Sequence, residues 1–283
     1  MADTPARLSG QTCLVTGANS GIGREIALGL ARQGARIVMA CRNEERGEAA
    51  REWIADASGN DTIELRLVDL SSRASIRQLA AQLRRDLDAL HVLVNNAGIW
   101  SQKRRASPDG IESTWATNQL GYYLLTHELL DLLRAAPRAR IVNVASQFAG
   151  ELDIGDVQFE RRGYAGPSAY KQSKQANRMW TWALARRLEG SGVTANAMHP
   201  GGVRTPLFRK AGGLLGPAIA LWALAAGRSP GKGADTAVWL ATDPDLATTS
   251  GRFWIDRNDV RCRFKNPDQE EALWQLCDEM TRA

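Results

Sequence analysis

The chain has 283 residues, 24% of them charged and 44% hydrophobic, and a formal net charge of +5 at pH 7. This is the composition of an ordinary globular protein, long enough to bury a full core within one α/β domain. Its lysines and arginines are scattered along the chain, which argues against a nucleic-acid binder, whose charge gathers into a stripe or patch.

The N-terminus, Met1-Ala2-Asp3-Thr4-Pro5, has no apolar stretch of the signal-peptide kind, so no signal peptide is expected. Short apolar runs then alternate with longer amphipathic ones. Strands are predicted at 11–16, 36–41, 62–68, 91–95, 139–145, 193–198 and 251–255, and helices at 21–33, 44–57, 72–88, 110–135, 168–190, 231–242 and 268–281. This alternation predicts an α/β class: a single-domain Rossmann fold over 1–283, a doubly wound parallel sheet of about seven strands covered on both faces. Right-handed crossovers place the strand carboxyl ends along one edge, where the ligand crevice of such a sheet lies.

One segment does not fit the alternation. Residues 203–230 form a long stretch, and between Lys210 and Arg228 it carries no charge. It is shorter than the about 20 apolar residues of a spanning helix, and Gly216-Pro217 breaks its first half. It reads as an apolar lid over a substrate site or as a surface-seeking helix, and no transmembrane segment is expected. Cys13, Cys41, Cys262 and Cys277 form no C-x-x-C pair, which points to a reduced, cytoplasmic chain. No metal site is expected.

The most informative stretch is Thr16-Gly17-Ala18-Asn19-Ser20-Gly21-Ile22-Gly23, where the first strand turns through glycines into a helix. Such a turn aims backbone N–H groups and a helix N-terminus at one place, which suits a pyrophosphate. Gly17, Asn19, Ser20, Gly21, Ile22 and Gly23 are the candidate contacts. The spacing is G-x-x-x-G-x-G and not the commoner G-x-G-x-x-G. An NAD site has an acidic residue near the end of the second strand for the ribose 2′-hydroxyl. Here that strand ends in Cys41-Arg42. A guanidinium pairs instead with a 2′-phosphate, so NADP(H) is the expected cofactor. Asp69-Leu70 ends the third strand, where Asp69 either meets the adenine amino group or caps the helix beginning near Ser72. Asn95-Asn96-Ala97-Gly98 ends the fourth; Asn96, Ala97 and Gly98 let the backbone approach a ribose, and Asn95 is placed to tie neighbouring strands.

Tyr170 and Lys174 are four apart on one helix face, after a strand that ends in Asn143-Val144-Ala145-Ser146. A free tyrosine has a pKa near ~10, and bringing it to neutrality takes roughly 4 kcal/mol of differential stabilisation. A Lys174 ammonium favours the phenolate, as does the positive charge of an oxidised nicotinamide. Ser146 is placed to hydrogen-bond a carbonyl oxygen, and Asn118, inside a predicted helix, to hold a water linking Lys174 to solvent. Trp100, Phe148 and the lid residues Leu207, Phe208 and Trp222 are candidate walls of an apolar substrate pocket.

With these residues in view the chain resembles the short-chain dehydrogenases/reductases. The resemblance is carried by Thr16-Gly17-x-x-x-Gly21-Ile22-Gly23, Asn95-Asn96-Ala97-Gly98, Asn118, Ser146, Tyr170-x-x-x-Lys174 and Pro200-Gly201 with Thr205, and covers about 8–255. It implies a catalytic tetrad of Asn118, Ser146, Tyr170 and Lys174. It also implies that Lys174 holds the nicotinamide ribose beside Tyr170, and that Pro200, Gly201, Val203 and Thr205 line the nicotinamide. Ala40-Cys41-Arg42-Asn43, His199-Pro200-Gly201 and the tail Gly251-Arg252-Phe253-Trp254 with Ala272-Leu273-Trp274 resemble the retinol dehydrogenase-like members. That subgroup prefers NADP and acts on lipophilic aldehydes, ketones and alcohols.

The expectation is therefore an NADP(H)-dependent oxidoreductase interconverting a carbonyl and an alcohol on a small lipophilic substrate, with Tyr170 as general acid/base. The alternatives are an NADP-binding redox-sensing regulator with little turnover, and a dehydratase or epimerase on the same scaffold. The interval from Ser146 to Tyr170 is longer than in shorter members. Its extra residues, among them Phe148, Phe159, Arg161, Arg162 and Tyr164, are expected to wall the substrate site and to obstruct the usual helix-to-helix dimer contact. A homodimer and a monomer both remain compatible with the sequence.

Overall fold

The structure is a computed structural model that describes residues 7–203 and 227–282. Its first half alternates β1 (Thr12–Thr16), α1 (Gly21–Ala31), β2 (Arg36–Cys41), α2 (Glu44–Ser58), β3 (Ile63–Leu67), α3 (Arg73–Asp86) and β4 (Val92–Asn95). The second half has α4 (Ser113–Trp115), α5 (Gly121–Glu128), α6 (Leu130–Ala135), β5 (Ala139–Val144), α7 (Gly166–Arg187) and β6 (Val193–His199). It ends with α8 (Pro230–Thr242), β7 (Phe253–Ile255), β8 (Asn258–Asp259) and α9 (Pro267–Arg282).

One 8-stranded sheet runs in the order β3-β2-β1-β4-β5-β6-β7-β8. The neighbours from β3 to β7 are parallel, as expected from the alternation. The sequence reading of about seven strands missed only β8, a two-residue antiparallel partner of β7 reached through Asp256 and Arg257, both at positive φ. Strand order reverses between β1 and β4, so the carboxyl ends of β1, β2, β4 and β5 open onto one crevice.

Helices cover both faces, which is why the central strands β1, β2 and β4 are buried nearly along their whole length, while the edge strand β3 alternates apolar and charged residues. In β1, Cys13 and Val15 join the core with α1, α2 and α8, while Leu14 joins the core on the opposite face. The second core is built on α3, α5 and α7, with Leu273 and Cys277 of α9 packed into it. Asn95 and Asn143 are directly opposed on β4 and β5 and are fully buried. Asn95 Nδ2 donates to Asn143 Oδ1 (2.9 Å) and Thr126 Oγ1 (3.0 Å), and Asn143 Nδ2 donates to Thr181 Oγ1 (2.9 Å). This polar seam ties the strand pair to α5 and α7, the tie expected of Asn95.

The unbroken helix expected at 110–135 is a correction. Ser113–Trp115 is α-helical, Ala116–Leu120 is a π-turn, α5 follows, and Leu129 leaves the helical region before α6. The buried Glu112 starts the segment: its two carboxylate oxygens accept from Thr114 N (2.9 Å) and Trp115 N (2.7 Å). Periodicity misses this break because a π-turn inserts one residue without changing the apolar character of its neighbours.

Most of the segment expected at 203–230 lies outside the described residues. Its two ends meet, since Arg228 N donates to Gly202 O (2.7 Å) and Val203 pairs with Arg228 as a parallel bridge.

Candidate active site

The crevice at the strand carboxyl ends holds a cavity of about 400 Å³. The β1–α1 loop forms one side. Gly17 and Gly21 adopt φ +68° and +56°, and a Cβ on Gly17 would stand 2.9 Å from Ala97 Cα. A Cβ on Gly23 would collide with Gly17 O and the Asn96 side chain. Thr16 Oγ1 accepts from Asn96 N (2.9 Å) and Ala97 N (3.0 Å), so the loop and the end of β4 are locked together. Ser20, at the start of α1, makes no side-chain capping bond, which leaves the first N–H groups of the helix aimed into the cavity without an internal acceptor from that residue. A glycine cradle and an uncapped helix N-terminus are the features a dinucleotide pyrophosphate needs, so the residues fit that group.

Further along, Asn19, Ile22, Arg42, Asn43, Arg46, Asp69 and Leu70 line the same cavity. Asn43 caps α2 through Arg46 N (2.8 Å), which places Arg42 and Arg46 on either side of that helix start. Sequence reading picked out Arg42 and missed Arg46, although a second cation one turn into α2 was legible. No acidic side chain follows β2 before Glu44. The choice left open for Asp69 is decided against a helix cap. Ser72 caps α3 through Ser75 N, while Asp69 Oδ1 accepts from Ser71 N (2.9 Å) and Ser71 Oγ (2.7 Å) and lines the cavity.

The far end of the cavity is lined by Asn96, Ala97, Gly98, Ser146, Tyr170, Lys174, Pro200, Gly201 and Val203, together with Trp100 and His199. Ser146, Tyr170 and Lys174 are thus brought together, all buried. Burial pushes the Tyr170 hydroxyl up to about 12, against a hydrogen bond with Ser146 that pulls it down. Burial also pushes Lys174 down to about 7. Lys174 Nζ donates to Val144 O (2.8 Å) and Asn177 Oδ1 (3.0 Å) and sits 5.2 Å from the centre of the Tyr122 ring. Asn118 stands in the π-turn behind the cavity wall: its Oδ1 accepts from Ile99 N (2.8 Å) and its Nδ2 donates to Ile99 O (3.0 Å) and Ser173 Oγ (3.1 Å). Its main-chain carbonyl accepts from Asn177 Nδ2 (2.7 Å).

Two residues that sequence reading missed follow Lys174 by one helical turn. Asn177 contacts Lys174, and the guanidinium of the buried Arg178 donates to Ser146 O and to Cys262 Sγ (3.5 Å) while lying 3.8 Å over the Phe253 ring. Nothing in their spacing distinguished them from core-facing positions of α7.

Phe148 and Trp100 stack on each other with ring centres 5.9 Å apart, and Trp100 lies 4.9 Å from the Tyr170 ring. Of the residues expected to wall the substrate site, Phe148, Phe159, Arg161, Arg162 and Tyr164 are not among the described residues that line this cavity. Phe159 packs on Tyr164, the Tyr164 hydroxyl lies within hydrogen-bond distance of Ser101 O (3.1 Å) and Glu112 Oε1 (3.2 Å), and Arg162 turns back to Asp156 and Gln172. These side chains brace the loop internally and fasten it to Ser101, Glu112 and Gln172. Thr205, Leu207, Phe208 and Trp222 lie outside the described residues.

The pattern of the family described as short chain dehydrogenase matches residues 11–213, nearly three-quarters of the chain. The chain belongs to the short-chain dehydrogenase family. It is an oxidoreductase of the retinol dehydrogenase-like subgroup: human retinol dehydrogenase 13 is 40% identical, over 98% of this chain and 85% of its own length. Among solved structures, an uncharacterised Mycobacterium paratuberculosis protein superposes with a TM-score of 0.78 at 32% identity, covering 100% of this chain and 97% of its own. A short chain dehydrogenase from Shigella flexneri complexed with NADP superposes with a TM-score of 0.69 at 26% identity, over 90% of this chain and 100% of its own. As a short-chain dehydrogenase the protein belongs to a family that binds a nicotinamide cofactor. Among the described residues no helix is long and apolar enough to cross a membrane.

Proposed function

We propose that the protein is an NADP(H)-dependent oxidoreductase that interconverts a carbonyl and an alcohol on a lipophilic substrate, with Tyr170 as general acid/base. The observation that carries this reading is the convergence of Ser146, Tyr170 and Lys174 at one end of the cavity whose other end is the glycine cradle. When bound, the cofactor supplies the hydride and, in its oxidised form, a positive charge.

The residues divide the rest of the work. The backbone of Gly17 to Gly23 takes the pyrophosphate, and Arg42, assisted by Arg46, takes a ribose 2′-phosphate through charge-assisted bonds. Asp69 and Leu70 meet the adenine, and Asn96, Ala97 and Gly98 approach a ribose. Lys174 holds the nicotinamide ribose, and Pro200, Gly201, Val203 and Thr205 line the nicotinamide. Ser146 orients the substrate carbonyl oxygen, and Tyr170 delivers its hydroxyl proton to that oxygen as the alkoxide develops; in the reverse direction its phenolate takes the proton back. With burial holding Tyr170 at about 12, the phenolate must gain about five units, roughly 7 kcal/mol, to form near neutrality. The same low-dielectric site that disfavours the phenolate also magnifies the attraction of the Lys174 ammonium, so burial raises both the cost and the remedy.

Trp100, Phe148 and the lid residues Leu207, Phe208 and Trp222 supply apolar contact, and relatives named for retinol agree with a lipophilic substrate. The free thiols of Cys13, Cys41, Cys262 and Cys277 fit a reducing, cytoplasmic setting.

The test is NADPH oxidation, followed by nicotinamide absorbance, over a panel of hydrophobic ketones and aldehydes. Tyr170→Phe is expected to lose about 10²–10⁴-fold in turnover with NADPH affinity retained; full turnover in that variant removes the role given to Tyr170. Arg42→Ala is expected to weaken NADPH by about 10- to 100-fold and NADH far less; equal loss of both overturns the choice of NADP. NADPH binding with no turnover of any panel member favours the redox-sensing regulator instead.

A further inference from the structure

We propose that Asn177 is a positioning residue, holding the Lys174 ammonium in place beside Tyr170 and bracing it against the π-turn that carries Asn118. The inference rests on the roles given above to Tyr170 and Lys174.

Lys174 and Asn177 are three apart on α7 and so share a face. Asn177 is fully buried, and every polar atom of its side chain is engaged. Its Oδ1 accepts from Lys174 Nζ at 3.0 Å, and its Nδ2 donates to Asn118 O at 2.7 Å and Gln119 Oε1 at 2.9 Å. The chemistry admits one amide orientation only. An ammonium has donors and no acceptor, so it must face the amide oxygen, while two carbonyl-type oxygens must face the amide nitrogen. A flipped amide would oppose an NH₂ to the ammonium and an oxygen to two oxygens. The bridge is therefore directional, running from Lys174 through the carboxamide to Asn118.

Its partners show what it does for the charge. Lys174 forms no ion pair among the described side chains; its ammonium donates to Val144 O and Asn177 Oδ1. The titratable groups that face it are Tyr122 of α5 and Tyr170 of its own helix, at 5.2 and 6.0 Å from the ring centres. From β5 it meets a carbonyl, and the next cation on α7, Arg178, is turned to Ser146 O. A carboxylate at position 177 would hold the ammonium more strongly but would cancel the charge that Tyr170 needs. A neutral amide solvates the cation and leaves its field intact. Burial pushes Lys174 down, so losing one of these two acceptors pushes it further.

The experiment uses the NADP⁺ complex and two variants. The first readout is tyrosinate absorbance against pH, with the Tyr170→Phe protein subtracted. The second is the pH dependence of kcat/KM for whichever hydrophobic alcohol the wild type oxidises fastest. Asn177→Ala removes an acceptor and is expected to raise the Tyr170 midpoint by about one pH unit, with about tenfold lower kcat/KM at neutral pH that recovers at alkaline pH. Asn177→Asp keeps the side-chain volume, pairs with the ammonium, and is expected to raise the midpoint at least as far. An unchanged midpoint in the variants, with activity lowered equally at every pH, overturns the proposal and leaves Asn177 a packing residue. If the wild type oxidises no alcohol, the reading of the site fails, while the absorbance titration still decides what Asn177 does to Tyr170.

Discussion

Tyr170 and Lys174 show what burial does to a pair read from spacing alone. The i, i+4 relation placed them on one face, and the expectation was a tyrosine eased toward ionisation by its lysine. Desolvation dominates both groups in the protein itself, with Tyr170 pushed up to about 12 and Lys174 down to about 7. The lysine shift has a consequence for stability. Between about pH 7 and 10.5 the unfolded chain binds more protons at this position than the folded one, so stability rises with pH across that window. At and below about pH 7 the burial cost is present in full. Lys174→Met is therefore expected to stabilise the protein near pH 6, by no more than about 5 kcal/mol, and the gain should shrink as pH approaches 10. Thermal unfolding of both proteins at several pH values checks this, and a gain independent of pH would assign it to packing. A residue that costs stability where it sits is expected at a functional position.

At the scale of elements, the informative case is the segment from Glu112 to Ala135. Its composition reads as one amphipathic helix. The chain instead starts on the Glu112 carboxylate, widens into a π-turn over Ala116–Leu120 and breaks at Leu129. The π-turn presents Asn118 to both the N–H and the C=O of Ile99, which fastens this segment to the loop after β4. Glu112 also accepts from Tyr164 OH, so one buried carboxylate organises the start of the helical segment and the loop before α7. Glu112→Ala strips the Thr114 and Trp115 N–H groups of their acceptor, while Tyr164 OH keeps Ser101 O, and is expected to cost about 2–4 kcal/mol, read from the urea midpoint. Glu112→Gln, which keeps one oxygen acceptor, should lose about half as much. Equal midpoints for wild type and Glu112→Ala would show that the carboxylate is dispensable.

At the scale of the molecule, a sheet covered on both faces sets its crevice where strand order reverses, between β1 and β4. The glycine loop follows β1, Arg42 follows β2, the Asn96–Gly98 stretch follows β4 and Ser146 follows β5, so residues up to about 130 positions apart in the chain reach one edge. The helix α9 closes the opposite side of α7: Trp274 meets Tyr123 edge to face at 5.1 Å, and Arg186 pairs with the buried Glu270. The 147–164 segment and α9 both pack against that core, the first through Val157 with Leu152 and Ile154, the second through Leu273 and Cys277.

The sequence by itself determined the fold class, the strand positions to within a residue or two, the cradle and the grouping of Ser146, Tyr170 and Lys174. These rest on local rules: apolar periodicity marks elements, glycines mark a turn no side chain fits, and right-handed crossovers put strand ends on one edge. Only the tertiary structure decided that Ser72 and not Asp69 caps α3, that Arg46 joins Arg42, that Tyr164 turns to Ser101 and Glu112, and that Asn177 and Arg178 hold Lys174 and Ser146. Each of those outcomes depends on which buried donor finds which acceptor across elements. That is a competition settled by geometry in three dimensions, and no spacing along one helix or strand contains it.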